Sequence, residues 1–496
     1  MTRTAAAHID TTTFRALGHQ LVDQVAGLLE SLPRGPVRRD ESPSSVRDAL
    51  GLTGPLPESG MDPAALLEQS TRLLFEHSLF NGHPRFFGYI TASPAPIGIL
   101  GDLLAAALNP NCGAWALSPA ATEVEAQTVR WIAELIGFPK DAGGILVSGG
   151  NMANIVCLAA ARVAKADWDI RKDGVSATGA RRLRVYVSTE AHTWIQKATD
   201  LTGLGTESIR WIQTDANLRM DVAALRRQIK LDRAAGEIPC LVAGTAGSVS
   251  TGAIDPLREI AGVCKEYGVW FHVDGAYGGF AAALPDASDD LKALSLADSV
   301  AVDPHKWLYA PLEAGCALVR DAAALRAAFA YHPPYYHFDE QATNFVDCGP
   351  QNSRGFRALK VWLQMRHIGA AGYRQMIADD IRLSQSMARA VAQHAELELA
   401  TQDLSITTFR YVPLDLRTQV GTADAERHLD ALNRALLDRL QRGGEVFLSN
   451  AVISGRYLLR ACIVNFHTDH SDVEAVPDIV ARLGRAIDAE LRSIKR

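Results

Sequence analysis

Phe14, Leu17, Leu21, Val25, Leu28 and Leu32 recur every three or four residues, which is the spacing of one face of a helix. Thr11 to Thr13 stand where its N-cap is expected, and Pro33 ends it. Pro33, Pro36, Pro43, Pro55, Pro57 and Pro63 punctuate the next thirty or so residues, a pattern that predicts a wandering connector. Asp62-Pro63 has the form of an N-cap followed by proline at the first helical position. Leu66, Leu67, Leu73, Leu74 and Leu79 then make the apolar face of a second helix. Two amphipathic helices on an extended arm cannot bury their own faces, so they need another surface, such as another subunit.

From about residue 86 the pattern changes to short, nearly continuous apolar runs at 144–148, 185–188, 209–212, 241–245, 269–274, 299–302 and 316–319. Helix-period segments, for example 154–166 and 222–231, lie between several of them. Continuous apolar strands alternating with helices predict a largely parallel sheet covered on both faces. After about residue 360 a helical stretch leads to a smaller C-terminal part with strand-like runs at 404–409 and 457–465. No internal repeat and no low-complexity tract interrupts this order.

The composition narrows the class of protein. The chain has 496 residues, 48% hydrophobic and 21% charged, with net charge −6. These values exclude a disordered, collagenous or coiled-coil chain, and they provide no overall field for nucleic acid. No run of eighteen apolar residues suggests a membrane span. The first ten residues lack the apolar core of a secretory signal. Seven scattered cysteines without a Cys-x-x-Cys pair argue against a disulfide framework and a structural metal site. A reducing cytoplasm is the expected location.

The chemistry is concentrated between Val269 and Ala310. Val-Trp-Phe-His-Val-Asp-Gly-Ala-Tyr-Gly-Gly-Phe (269–280) predicts a buried strand ending in Asp274 and a glycine-rich turn. Open α/β sheets bind ligands at that end of their strands. Asp303-Pro304-His305-Lys306-Trp307 also follows an apolar run. A lysine amid apolar residues gives up its proton readily, as an amine must before it forms a Schiff base. An aspartate and a lysine on neighbouring strand ends suit pyridoxal phosphate, the lysine holding the aldehyde and the carboxylate keeping the pyridine nitrogen protonated. Ser148-Gly149-Gly150-Asn151-Met152-Ala153-Asn154 follows a strand and opens a helix, where backbone N–H groups and the helix N-terminus favour a phosphate. His192 follows the 185–188 run and is a candidate to stack on the ring.

Together these stretches resemble the pyridoxal-phosphate-dependent group II amino acid decarboxylases of the aromatic-L-amino-acid type. The resemblance runs from His83-Pro84-Arg85-Phe86-Phe87 and Trp115-Ala116-Leu117-Ser118-Pro119 to Ser353-Arg354-Gly355-Phe356-Arg357-Ala358-Leu359-Lys360. It implies an α/β, aspartate-aminotransferase-like architecture (fold type I), with a mostly parallel seven-stranded sheet in the large domain. A helical arm at 1–85, a cofactor-binding domain at 86–365 and a small α+β domain at 366–496 are the implied divisions. An intertwined homodimer with its site at the subunit interface is also implied. The reaction implied is decarboxylation of an L-amino acid, most readily an aromatic one, to the amine and carbon dioxide through a Lys306 Schiff base and a quinonoid.

By the same resemblance Asp274 binds the pyridine nitrogen, Ala276 packs against the ring, and His192 covers its other face. Gly149, Gly150, Asn151, Ser248, Asp303 and His305 are expected around the phosphate or ring edge. Asn151 replaces the family's usual serine, and Asp303 stands where some members have asparagine; a carboxylate repelled by phosphate is expected to turn to other donors. Tyr89, Thr91 and Trp115 match positions near the substrate side chain. A loop tyrosine thought to protonate Cα has no counterpart: ungapped counting reaches Phe345, and a three-residue deletion aligns Cys348. Related aldehyde synthases carry phenylalanine there and use oxygen, so an aromatic aldehyde is the alternative product. The other reading is a shorter loop in which Tyr335, Tyr336 or His337 supplies the proton.

Overall fold

A computed structural model describes residues 5–334 and 342–494. Its centre is a seven-stranded sheet of β1 (Gly143–Val147), β2 (Leu183–Ser188), β3 (Ile209–Ile212), β4 (Ile238–Thr245), β5 (Trp270–Asp274), β6 (Ser299–Val302) and β7 (Gly315–Val319). The spatial order is β1-β7-β6-β5-β4-β2-β3. The pairs from β6 through β3 are parallel, and β7 runs antiparallel to both its neighbours. All seven runs read from the sequence are strands, and β4 begins three residues earlier than its most apolar part. Both faces are covered, as continuous apolar strands require. Leu146 and Tyr186 enter one core, and their neighbours Ile145, Val147, Val185 and Val187 enter the other.

A second, antiparallel sheet contains β8 (Leu397–Asp403), β9 (Ile406–Tyr411), β10 (Ser449–Ile453) and β11 (Arg456–Cys462), in the order β10-β11-β9-β8. The expected run at 404–409 therefore starts two residues late, because Leu404 has φ 46° and makes the turn instead. The helix Ala358–Gln393 connects the two sheets and is broken at Gly369, where φ is 70°. Before the break, Lys360 pairs with Asp102 and Trp362 donates to Gln127. After it, Ser384 Oγ lies 2.9 Å from Thr407 Oγ1 on β9. The segment around residue 86 also joins the small sheet: Phe87 N–H donates to Phe447 O at 2.8 Å, and Cys462 N–H donates to Phe87 O at 2.9 Å.

The arm helices occupy Thr11–Ser31 and Pro63–His77. Asp10, rather than the threonines, caps the first by accepting from the Thr12 and Thr13 N–H groups. Asp62 caps the second with Pro63 behind it. The first helix buries no residue within this chain, and Phe14 is 65% exposed.

Candidate active site

The site is assembled at one edge of the large sheet, where β1, β2, β4, β5 and β6 all end. A cavity of about 390 Å³ there is lined by residues that immediately follow these strands. Lys306, Asp274, Asp303, His305, His192 and Ala276 reach it from three of them. Gly149, Gly150 and Asn151 reach it from the turn after β1. The common strand direction is what brings these residues together, since they are far apart in the chain.

Asp303 is 1% exposed and faces Lys306 across a single turn. Its Oδ2 lies 2.9 Å from Lys306 Nζ and 3.7 Å from His305 Nε2. Its Oδ1 has no hydrogen-bond partner. The His305 ring is set by Nδ1, 2.7 Å from the Ala314 carbonyl, and burial holds its pKa below the usual histidine value. Asp274 is buried at the end of β5 and accepts from the Ala276 N–H through Oδ1 at 3.2 Å. His192 Nδ1 accepts from the Trp194 N–H at 3.2 Å, which leaves its proton on Nε2 when the ring is neutral. Burial lowers the His192 pKa, opposed by the nearby Asp274 charge.

Behind Asp274, His272 is wholly buried on the same strand face. Its Nε2 lies 2.7 Å from Asn154 Oδ1, and its Nδ1 lies 2.9 Å from Ser299 Oγ. Burial depresses its pKa to about 4, so the ring is neutral and its partners fix the tautomer. Asn154 itself lines the cavity.

A tight glycine turn lies beside these groups. Gly149 adopts φ 122°, a conformation that side-chain-bearing residues avoid. A Cβ on Gly150 would stand 2.7 Å from Asp303 Oδ2 and 3.0 Å from Ala276 Cβ. A Cβ on Gly315 would stand 2.5 Å from the Gly149 backbone. The helix Gly150–Lys165 opens here without a side-chain cap, so its first N–H groups have no partner inside the helix. A primary amine, a buried carboxylate and an uncapped helix start fit pyridoxal phosphate in its three functional parts: aldehyde, ring nitrogen and phosphate.

The comparisons agree with that donor set. Residues 54–412 match the pyridoxal-dependent decarboxylase conserved domain. The chain belongs to the pyridoxal-dependent decarboxylase family. It is 34% identical over 459 residues to an aromatic-L-amino-acid decarboxylase of Bacillus atrophaeus, covering 92% of each chain. It is 30% identical over 484 residues to a phenylacetaldehyde synthase of Petunia hybrida, covering 95% of this chain and 94% of the relative. Among solved structures, Oryza sativa TDC with PLP and tryptamine superposes with a TM-score of 0.89 at 27% identity, covering 97% of this chain and 100% of that one. This decarboxylase is thus a pyridoxal-phosphate-dependent carboxy-lyase of fold type I.

Several expected residues stand elsewhere. Ser248 is buried with its hydroxyl 2.9 Å from Thr251 Oγ1, and its neighbours Gly247 and Val249 line the cavity instead. Tyr89 is exposed and packs 6.1 Å from the Phe447 ring; Ile90, between Tyr89 and Thr91, is the residue that reaches the cavity. Trp115 is not part of the cavity lining; its backbone N–H donates to Asn344 Oδ1 and its indole N–H to Glu123 Oε1. Phe345, expected in a mobile loop, is 2% exposed in the core, with Arg354 stacked 4.9 Å from its ring centre. Phe345 and Cys348 line a different cavity. Tyr335, Tyr336 and His337 lie outside the described residues. The sequence reading missed Asn154 and Thr245. One helical turn after Gly150 and the register partner of Asp274 are the signals that point to them.

Proposed function

We propose that this enzyme decarboxylates an aromatic L-amino acid to its amine, with Lys306 as the residue that carries the cofactor. One observation supports the substrate class above the others: Lys306 is the single lysine or arginine among the described residues lining the cavity. An acidic side chain would find no counter-ion there once that amine is engaged, and buried unpaired charge is strongly disfavoured. Ile90, Val249 and Leu312 supply apolar wall. The named activities of the relatives from Bacillus atrophaeus and Petunia hybrida point to the same class.

Bound pyridoxal phosphate supplies an electron sink for the pair left when the Cα–carboxylate bond breaks. Asp274 would keep the ring nitrogen protonated, and Ala276 and His192 would hold the ring. Gly149, Gly150 and Asn151, at the uncapped helix start, would hold the phosphate through N–H groups. Lys306 would be the amine that holds the cofactor between turnovers. Ser248 acts through Thr251 on the turn that bears Gly247, and His305 and Asp303 fix the lysine turn.

A second reading is favoured by the similarity to phenylacetaldehyde synthase: amino acid, oxygen and water give aldehyde, carbon dioxide, ammonia and hydrogen peroxide. It draws no support from Phe345, whose ring is in the core. Incubation in air with phenylalanine, tyrosine, tryptophan, DOPA and glutamate tests both. Amine equal to carbon dioxide from an aromatic substrate, with glutamate inert, is expected. Turnover of glutamate, or peroxide in place of amine, overturns the proposal.

We further infer a homodimer, a small domain from residue 366, and a cytoplasmic location. Phe14, Leu66 and Leu74 on the arm and Leu100, Leu103 and Leu104 on the helix Pro96–Leu108 expose apolar surface that a second copy would cover. The Gly369 break supports a boundary close to the one expected, and seven free cysteines suit a reducing compartment.

A further inference from the structure

We propose that Asp380 is a positioning residue for Lys306, holding from the C-terminal half two side chains of the turn that follows the lysine. This rests on the assignment of Lys306 above. Asp380 lies beyond the Gly369 break of the helix Ala358–Gln393, in the part that packs on the small sheet. Its Oδ2 accepts from Trp307 Nε1 at 2.8 Å and from Tyr309 Oη at 2.7 Å. Trp307 and Tyr309 are fully buried one and three residues after Lys306. A carboxylate in such a place is stable only while its donors stay in position, and two donors on one oxygen fix both side chains at once.

The turn needs such a hold. Tyr309 has φ 55°, a left-handed conformation that an aromatic residue adopts only when its surroundings impose it. Its N–H donates to the Lys306 carbonyl at 3.0 Å, so the strained residue and the lysine share one turn. Its carbonyl accepts from the Ala95 N–H at 2.9 Å and from Gln364 Nε2 at 3.0 Å, which ties the backbone but leaves the ring to Asp380. Trp307 also stacks on Tyr277, with ring centres 4.8 Å apart. Tyr277 stands three residues after Asp274, and its hydroxyl is 2.7 Å from Ser405 Oγ, next to β9. One buried carboxylate therefore links the lysine turn directly, and the Asp274 turn through two stacked rings, to the C-terminal half. Burial pushes Asp380 up to about 7, and the Tyr309, Trp307 and Asn465 donors pull the other way.

The test uses the full chain. Asp380→Asn keeps the shape and one acceptor but removes the charge, and Tyr411→Phe is the control. Tyr411 is an equally buried tyrosine that donates to Glu396 within the small domain, away from the cavity. Pyridoxal phosphate affinity is read by absorbance titration of the apo chain, together with Tm, kcat and KM. Asp380→Asn is expected to weaken cofactor binding at least fivefold and to lower kcat at least fivefold, with KM within twofold. Tyr411→Phe is expected to lower Tm while leaving cofactor affinity unchanged. If Asp380→Asn does not fold, Trp307→Phe and Tyr309→Phe each remove one donor and are expected to weaken cofactor binding at least threefold. Affinity and kcat within twofold of the parent, or equal losses in the Tyr411→Phe control, overturn the proposal. Borohydride labelling of the parent separates the two layers: label at Lys306 with an unmoved Asp380→Asn rejects this inference alone, whereas label elsewhere rejects the assignment beneath it.

Discussion

Lys306 Nζ lies 2.9 Å from Asp303 Oδ2, and the other Asp303 oxygen is buried without a partner. The amine must leave this pair before it can attack an aldehyde carbon, and the carboxylate repels an arriving phosphate. Asp303→Asn removes both obstacles while keeping the shape of the turn. The apo variant is expected to capture pyridoxal phosphate two- to tenfold faster, read by stopped-flow absorbance. An unchanged or slower rate shows that the pair is no brake.

Asp274 is a buried carboxylate lining the cavity, and the proposal assigns it to the ring nitrogen. Asp274→Asn keeps its size and removes the charge that holds the nitrogen protonated. The variant is expected to retain borohydride-trappable cofactor but to lose at least about 100-fold in kcat, since the electron sink supplies most of the catalysis. A kcat within tenfold of the parent would place the ring elsewhere.

Gly315 is not part of the cavity lining, yet a Cβ there would overlap the Gly149 backbone at 2.5 Å. Overpacking against backbone costs roughly 1–3 kcal/mol. Gly315→Ala is therefore expected to weaken cofactor binding by about 5- to 150-fold, measured by absorbance titration. Unchanged affinity would show that the turn has room to shift.

The strand ladder and the Asp274 and Lys306 segments were legible because each is written locally, as an apolar run with a reactive residue at its end. Thr245 was not, because it reaches the site only through its register with Asp274. Gly315 was not, because its role comes from β7 lying against the turn after β1. Phe345 was misplaced for a related reason. Counting along the chain puts it in a loop, but Arg354, bound to Glu125 in the core, draws the ring inward. The Asp380 link depends on a long helix folding back over the lysine turn, which no local pattern announces.

His272 has a pKa near 4 in the folded chain, below the 6.5 of a free histidine. Between these values the unfolded chain binds the extra proton, so stability is full above pH 6.5 and falls as pH drops toward 4. By pH 5 the loss is of order 2 kcal/mol. The urea midpoint of the parent is expected to fall more between pH 7.5 and 5 than that of His272→Gln. Parallel falls would show that this ring does not drive the acid sensitivity.

The most direct measurement is peptide mapping after borohydride reduction of the cofactor-loaded enzyme, with Lys306→Ala in parallel. The prediction is one pyridoxyl label on Lys306, loss of the imine absorbance on reduction, and neither label nor turnover in the variant. Label on any other lysine, or decarboxylation by Lys306→Ala at the parent's rate, would contradict the account.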